Sequence, residues 1–121
     1  MERRVVPMIH VPDVRAAVAW YEAIGFTLVR ANEDNGEMDW ALVRFGDSGV
    51  MFSEGGHISN ADRREIDLYL HAEDVDAAYA HLSAEIDVVE APHNTFYGMR
   101  EFIVRDLNRF WVTFGEPVSS A

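Results

Sequence analysis

The sequence predicts an α+β fold of two tandem β-α-β-β-β modules, and two observations carry that prediction. Ten residues recur 61 positions later: His10-Val11-Pro12-Asp13-Val14-Arg15-Ala16-Ala17-Val18-Ala19 matches His71-Ala72-Glu73-Asp74-Val75-Asp76-Ala77-Ala78-Tyr79-Ala80 at His, Asp, Val and three Ala. In each copy an alternating apolar run precedes the His and a helical pattern follows the Asp. Solenoid repeats span about 20 to 50 residues and need three or more copies. Two copies of about 60 residues therefore read as half-domains closing one globule over residues 1–121. Paired modules are expected to leave a curved-sheet cleft where they meet, and a ligand is expected there.

Each element has a local reason. Val5 to Val11 alternates as a strand does and ends at Pro12-Asp13, where the Asp carboxylate can accept the free amides of a helix start. Val14, Ala17, Val18 and Tyr21 fall at i, i+3, i+4 and i+7, one buried stripe, until Gly25 ends the helix in the left-handed region. Phe26 to Arg30, Trp40 to Phe45 and Val50 to Ser53 read as three strands. They are separated by the turn-forming Asn32-Glu33-Asp34-Asn35-Gly36 and Gly46-Asp47-Ser48-Gly49. Module one spans about 4–54, and Glu54 to Asn60, with two glycines, links it to module two, about 64–117. There the order repeats: strand Ile66 to Ala72, cap Asp74, a helix with Val75, Ala78, Tyr79 and Leu82 on one face, then strands near Ile86 to Glu90, Arg100 to Arg105 and Phe110 to Phe114.

Composition excludes several functions. The chain has no cysteine, which removes thiolate nucleophiles and cysteine metal sites and fits a reducing cytoplasm. No apolar run reaches the roughly 18 to 20 residues of a membrane span, and Met1-Glu2-Arg3-Arg4 does not open a secretory leader. Twenty-one acidic against ten basic side chains give a formal charge of −11, which repels nucleic acid and anionic membranes and favours solubility or cationic ligands. Gly46-Asp47-Ser48-Gly49 lacks the Gly-Lys-Ser/Thr end of a phosphate loop, and no Gly-x-Ser-x-Gly frames Ser53 as a nucleophile.

The duplicated plan, the Val11-Pro12-Asp13-Val14 helix entry, Trp20-Tyr21-Glu22-Ala23-Ile24-Gly25-Phe26, and the stretch from Gly98-Met99-Arg100-Glu101-Phe102 to Phe114-Gly115-Glu116-Pro117 resemble the vicinal oxygen chelate superfamily. That group holds glyoxalase I, extradiol dioxygenases and bleomycin-resistance proteins. The last hairpin is most similar to the bleomycin-resistance branch, although its usual Asp-Pro-Asp-Gly-Asn turn appears here as Asp106-Leu107-Asn108-Arg109-Phe110. The resemblance implies a homodimer, as many relatives are.

Enzymes of the superfamily commonly hold a divalent metal with His, Gln or Glu, one ligand on the first and one on the last strand of each module. Those positions are here Val6, Met51, Asp67 and Thr113, of which only Asp67 offers a carboxylate. His10, Asp67 and His71 lie on strand faces from which they could converge as a nonstandard metal site or general base; the alternative is that each His bonds backbone at its helix entry. The other residues expected to point inward and meet a ligand are Trp40, Arg44, Tyr69, Arg100 and Trp111, joined by Met51 and Thr113. Broad aromatic rings and adaptable methionines suit a large organic molecule, and acidic side chains attract a cation; the same aromatics can equally fill a core.

The resemblance implies metal-independent, cofactor-free binding and sequestration of a small amphipathic or cationic molecule, such as a glycopeptide-like antibiotic. A metal-dependent lyase, isomerase or dioxygenase of the glyoxalase type is the alternative. A third reading, an acidic interaction module without a ligand, would have its cleft filled by its own side chains.

Overall fold

The structure, a computed structural model, describes residues 3–118. Met1 and Glu2, which begin the stretch read against a leader, lie outside the described residues. The chain forms two compact units that divide between Ser59 and Asn60.

Unit one contains β1 (Met8–His10), α1 (Val14–Ala23), β2 (Thr27–Asp34), β3 (Glu37–Phe45) and β4 (Ser48–Ser53). Its sheet order is β1-β4-β3-β2, with β1 parallel to β4 and the other pairs antiparallel. Unit two repeats the plan with β5 (Asp67–His71), α2 (Val75–Ala80), β6 (Asp87–Asn94), β7 (Met99–Arg105) and β8 (Trp111–Pro117), in the order β5-β8-β7-β6. The α+β, tandem β-α-β-β-β fold read from the sequence is the fold observed.

Both helix entries form as the sequence predicts. Asp13 accepts the Ala16 amide and Asp74 the Ala77 amide, each at 3.0 Å. In unit one Val14, Ala17, Val18 and Tyr21 are buried, and the Tyr21 ring meets Phe26 and Phe52 at 5.2 and 4.9 Å between centroids. Gly25, at φ +114°, ends the run beyond α1. Unit two packs more weight into its sheet than its helix: α2 is six residues long, and Phe102 stacks on Phe114 at 4.6 Å.

Several boundaries differ from the sequence reading. The first strand begins at Met8, not Val5, because Pro7 has no amide to give a ladder; its carbonyl still accepts the Met51 amide. The turn expected over Asn32 to Gly36 narrows to Asn35-Gly36, both at positive φ, so β2 runs on through polar residues that face solvent. The second helix stops at Ala80 rather than reaching Leu82, whose amide turns back to Tyr79 in a tighter bond. The strand expected at Ile86 to Glu90 extends to Asn94 and carries Pro92 on a bulged edge, where a missing amide costs no ladder bond.

Candidate functional site

Alternation along the strands divides each sheet into a helix face and an open face. In unit one Ile9, Ala41, Val43, Val50 and Phe52 are buried, leaving Met8, His10, Trp40, Leu42, Arg44 and Met51 on the open face. In unit two Leu70, Phe102, Val104, Val112 and Phe114 are buried, and Asp67, Tyr69, His71, Glu101, Ile103, Trp111 and Thr113 alternate with them.

On the open face of unit one, Met8 stands opposite Met51, and Leu42 flanks Met51 from the other side. Trp40 is half-buried. The His10 Nδ1 lies 3.0 Å from the Glu54 carbonyl, so this imidazole bonds backbone just beyond its own strand pair. Arg44 donates to the Gly46 carbonyl at 3.4 Å.

The open face of unit two is built around a carboxylate that sequence reasoning passed over. Glu101 is only 3% exposed, and its two oxygens accept the hydroxyls of Tyr69 at 2.7 Å and Tyr97 at 2.6 Å. Gly115 makes this possible: a Cβ there would lie 1.9 Å from the Tyr69 hydroxyl oxygen, so only a bare backbone lets the phenol cross β8. Burial of that hydroxyl, and then the Glu101 hydrogen bond, push the Tyr69 pKa well above its ordinary value. The hydrogen bond to Glu101 is the main cause that raises Tyr97. Both phenols therefore remain neutral donors to the acid. Thr113 is buried beside this cluster, directly opposite Tyr69.

The neighbouring residues extend an aromatic, acidic surface. His71 lies 5.3 Å from the Tyr69 ring. The Arg63 guanidinium sits 4.0 Å over Trp111 and pairs with Asp67, while the Trp111 indole donates to the Asp62 carbonyl. One face of Trp111 and the carboxylate of Asp67 thus already have a cation of their own.

Arg100 corrects the sequence reading. It shares the helix face with Phe102 and Val104 and grips Asp76 of α2 through two 2.8 Å bonds, rather than pointing to the open face. That grip holds the Asp76 carboxyl below its ordinary value. Starting the alternation one residue early exchanged Arg100 for Glu101. The signal was present, because apolar Phe102 and Val104 mark the helix face and place positions 101 and 103 on the other.

Residues 4–114 match the Glyoxalase/Bleomycin resistance protein/Dioxygenase superfamily. The chain belongs to this superfamily. Among solved structures, TioX from Micromonospora sp. ML1 superposes with a TM-score of 0.79 at 21% identity, covering 97% of this chain and 100% of that one. A bleomycin-binding protein complexed with bleomycin gives 0.70 at 17% identity, covering 95% and 98% of the two chains. TnmS3, an antibiotic binding protein from Streptomyces sp. CB03234, gives 0.67 at 24% identity, covering 97% and 98%. No curated protein matches this chain.

The donors at the superfamily's metal positions do not fit zinc, manganese or iron. In unit one Val6 has no donor atom and Met51 has only a thioether, a ligand for softer ions. In unit two the Asp67 carboxylate is paired with Arg63 and lies opposite Trp111, whereas Thr113 lies opposite Tyr69 and offers a neutral alcohol. Asp74, Asp76 and Glu116 do bring three carboxylates within 4.8 Å of one another. There, however, Arg100 occupies both Asp76 oxygens and Asp74 caps α2, so this member of the superfamily already balances that cluster with a guanidinium.

The loop Asp106-Leu107-Asn108-Arg109-Phe110 keeps its turn without Pro or Gly. Buried Asp106 accepts the amides of Asn108 at 2.7 Å and Phe110 at 2.9 Å, and Arg109 takes the left-handed backbone at φ +73°.

Proposed function

We propose that this chain binds and holds a small amphipathic organic molecule carrying a cationic group, without transforming it and without a metal cofactor. The observation that carries the reading is Glu101, a buried carboxylate bonded by two phenols and by no cationic side chain among the described residues. Two neutral hydroxyls satisfy its oxygens and leave its charge uncompensated. An ammonium or guanidinium of a ligand would supply the missing charge, while the Tyr69 and Tyr97 rings would offer π faces to the same cation.

Several further features support the reading. The formal charge of −11 favours approach of a cation. Tyr69 and Tyr97 are 44% and 57% exposed although their hydroxyls are held, so their rings are available as a fixed surface. Two solved structures of similar fold are a bleomycin-binding protein and an antibiotic binding protein. Sequestration needs no general base, and the His10 imidazole bonds a backbone carbonyl rather than a carboxylate.

Calorimetric titration with bleomycin and with benzyltrimethylammonium tests the reading. Saturable binding that weakens with salt, with each probe recovered unchanged by chromatography, is the expected result. Absence of binding by both probes, or recovery of a chemically altered probe, overturns it.

A further inference from the structure

The acceptor atoms around Glu101 are already engaged. The carboxylate is buried, and each of its oxygens takes one hydroxyl, Oε2 from Tyr69 and Oε1 from Tyr97. The Tyr69 hydroxyl is covered in turn, because it lies so near the β8 backbone that Gly115 has no room for a Cβ. Beside Tyr97, the Thr95 hydroxyl donates to the Met99 carbonyl at 3.0 Å and accepts the Met99 amide at 3.1 Å. Glu90 adds negative charge near the Tyr97 phenol, and its carboxylate faces His93 at 3.4 Å.

What the cluster leaves open is ring surface. Tyr69 reaches Glu101 from β5 across β8, whereas Tyr97 reaches it from the turn between β6 and β7, so the two rings flank the acid from different sides. Both residues are exposed, and so is Phe96, whose ring meets Tyr97 edge-on at 5.1 Å. A cation settling on these faces feels the Glu101 charge through the phenols without reaching a carboxylate oxygen. The identity of the cation then matters. A primary ammonium or a guanidinium gives up water at its N–H groups and must find acceptors in exchange, or the loss counts against binding. A quaternary ammonium has no N–H to satisfy, and its methyl groups carry the positive charge directly against an aromatic face.

We propose, granting the cation-binding role of this cluster, that it selects a quaternary ammonium over a primary ammonium or a guanidinium. The trimethylated centre lies on the Tyr69 and Tyr97 rings, and the buried Glu101 carboxylate balances its charge without a direct salt bridge.

Calorimetric titration of the full chain at pH 7 with benzyltrimethylammonium and benzylammonium, which share one ring and one positive charge, tests the proposal. The quaternary probe is expected to bind at least about fivefold more tightly, as the cost of unpaired N–H donors implies. Tyr97→Phe keeps the ring face and uncovers one Glu101 oxygen, so benzylammonium should gain affinity and the preference should fall to about twofold or less. Tyr97→Leu removes the face as well, and benzyltrimethylammonium should lose about threefold or more. A preference below about fivefold, tighter binding of the primary probe, or a preference that Tyr97→Phe does not reduce overturns the proposal and leaves cation binding by unit two standing. Binding of neither probe overturns the cation-binding reading itself, and the selectivity with it.

Discussion

The two sheets share a topology, a register and a pair of Asp-capped helices, yet their open faces have diverged further than their helix faces. Ile9 and Leu70, Phe52 and Phe114, Val43 and Val104, and Val50 and Val112 occupy equivalent buried positions. On the open faces the same equivalence sets Met8 against Tyr69, Met51 against Thr113 and Trp40 against Glu101. Close packing against a helix admits few residue types, because a lost or added methylene there is felt directly. An open face carries no such constraint, so one copy has come to present methionine and tryptophan and the other a buried acid between phenols.

The core half of the comparison offers the largest effect. Position 102 has taken on the bulk that position 41 lacks, since Phe102 and Ala41 are equivalent and both fully buried. Phe102→Ala should destabilise unit two by about 3 to 5 kcal/mol in chemical denaturation, through lost transfer energy and the cavity beside Phe114. A loss below about 1 kcal/mol would mean that the stack with Phe114 is not a principal support of the unit.

Next comes the charge on the second open face. Glu101→Gln keeps the shape, with the amide oxygen accepting from one phenol and the amide nitrogen donating to the other, but removes the charge, so benzyltrimethylammonium affinity should fall by roughly 10- to 100-fold, corresponding to about 1.5 to 3 kcal/mol for a charged interaction. Trp40→Gln, at the equivalent position of the other sheet, should leave that affinity within about twofold. Equal losses in the two variants would erase the contrast between the sheets.

Gly115→Ala probes how the acid is held. With a methyl group 1.9 Å from its oxygen, Tyr69 must withdraw from Glu101, at a cost of about 1 to 3 kcal/mol of stability measured by denaturation. Tyr69→Phe in the same background should then cost little more, because the bond is already broken.

The smallest effects are those of pH. The Asp76 carboxyl is held below 3.8 by Arg100, so its contribution is complete above pH about 4 and disappears as the pH falls through the lowered value. The melting temperatures of the natural chain and Asp76→Asn should therefore differ at pH 6 and converge near pH 2. Tyr69 has the opposite sign: its phenol is raised above 10.0, so the stability it adds is complete below pH 10 and is lost as the pH rises further. Tyr69→Phe should flatten that alkaline fall.

Much of this architecture is legible in the chain. The repeat announced two like modules, the i, i+3, i+4, i+7 stripe marked the buried side of α1, and Asp13 and Asp74 marked both helix starts, because capping and helical periodicity are written within a few consecutive residues. Alternation placed Asp67, Tyr69 and His71 together on one face, with the same success for Trp40 and Arg44. It failed at Arg100, where the polar Arg100-Glu101 pair gives no phase of its own and the apolar Phe102 and Val104 that follow, with Phe102 stacked on Phe114, fix it. The ends of β2 and β6 were also hidden, since polar residues on edge strands show no apolar period.

By itself, then, the sequence determined the duplicated fold, the helix entries and the faces of β3 and β5, all of which follow from local spacing. Tertiary structure alone decided that Glu101 meets Tyr69, 32 residues away, and that Arg105 finds Asp87 where Arg44 finds Thr27. Those meetings depend on which residues strand pairing sets side by side, and a cross-strand register leaves no periodic trace in either strand.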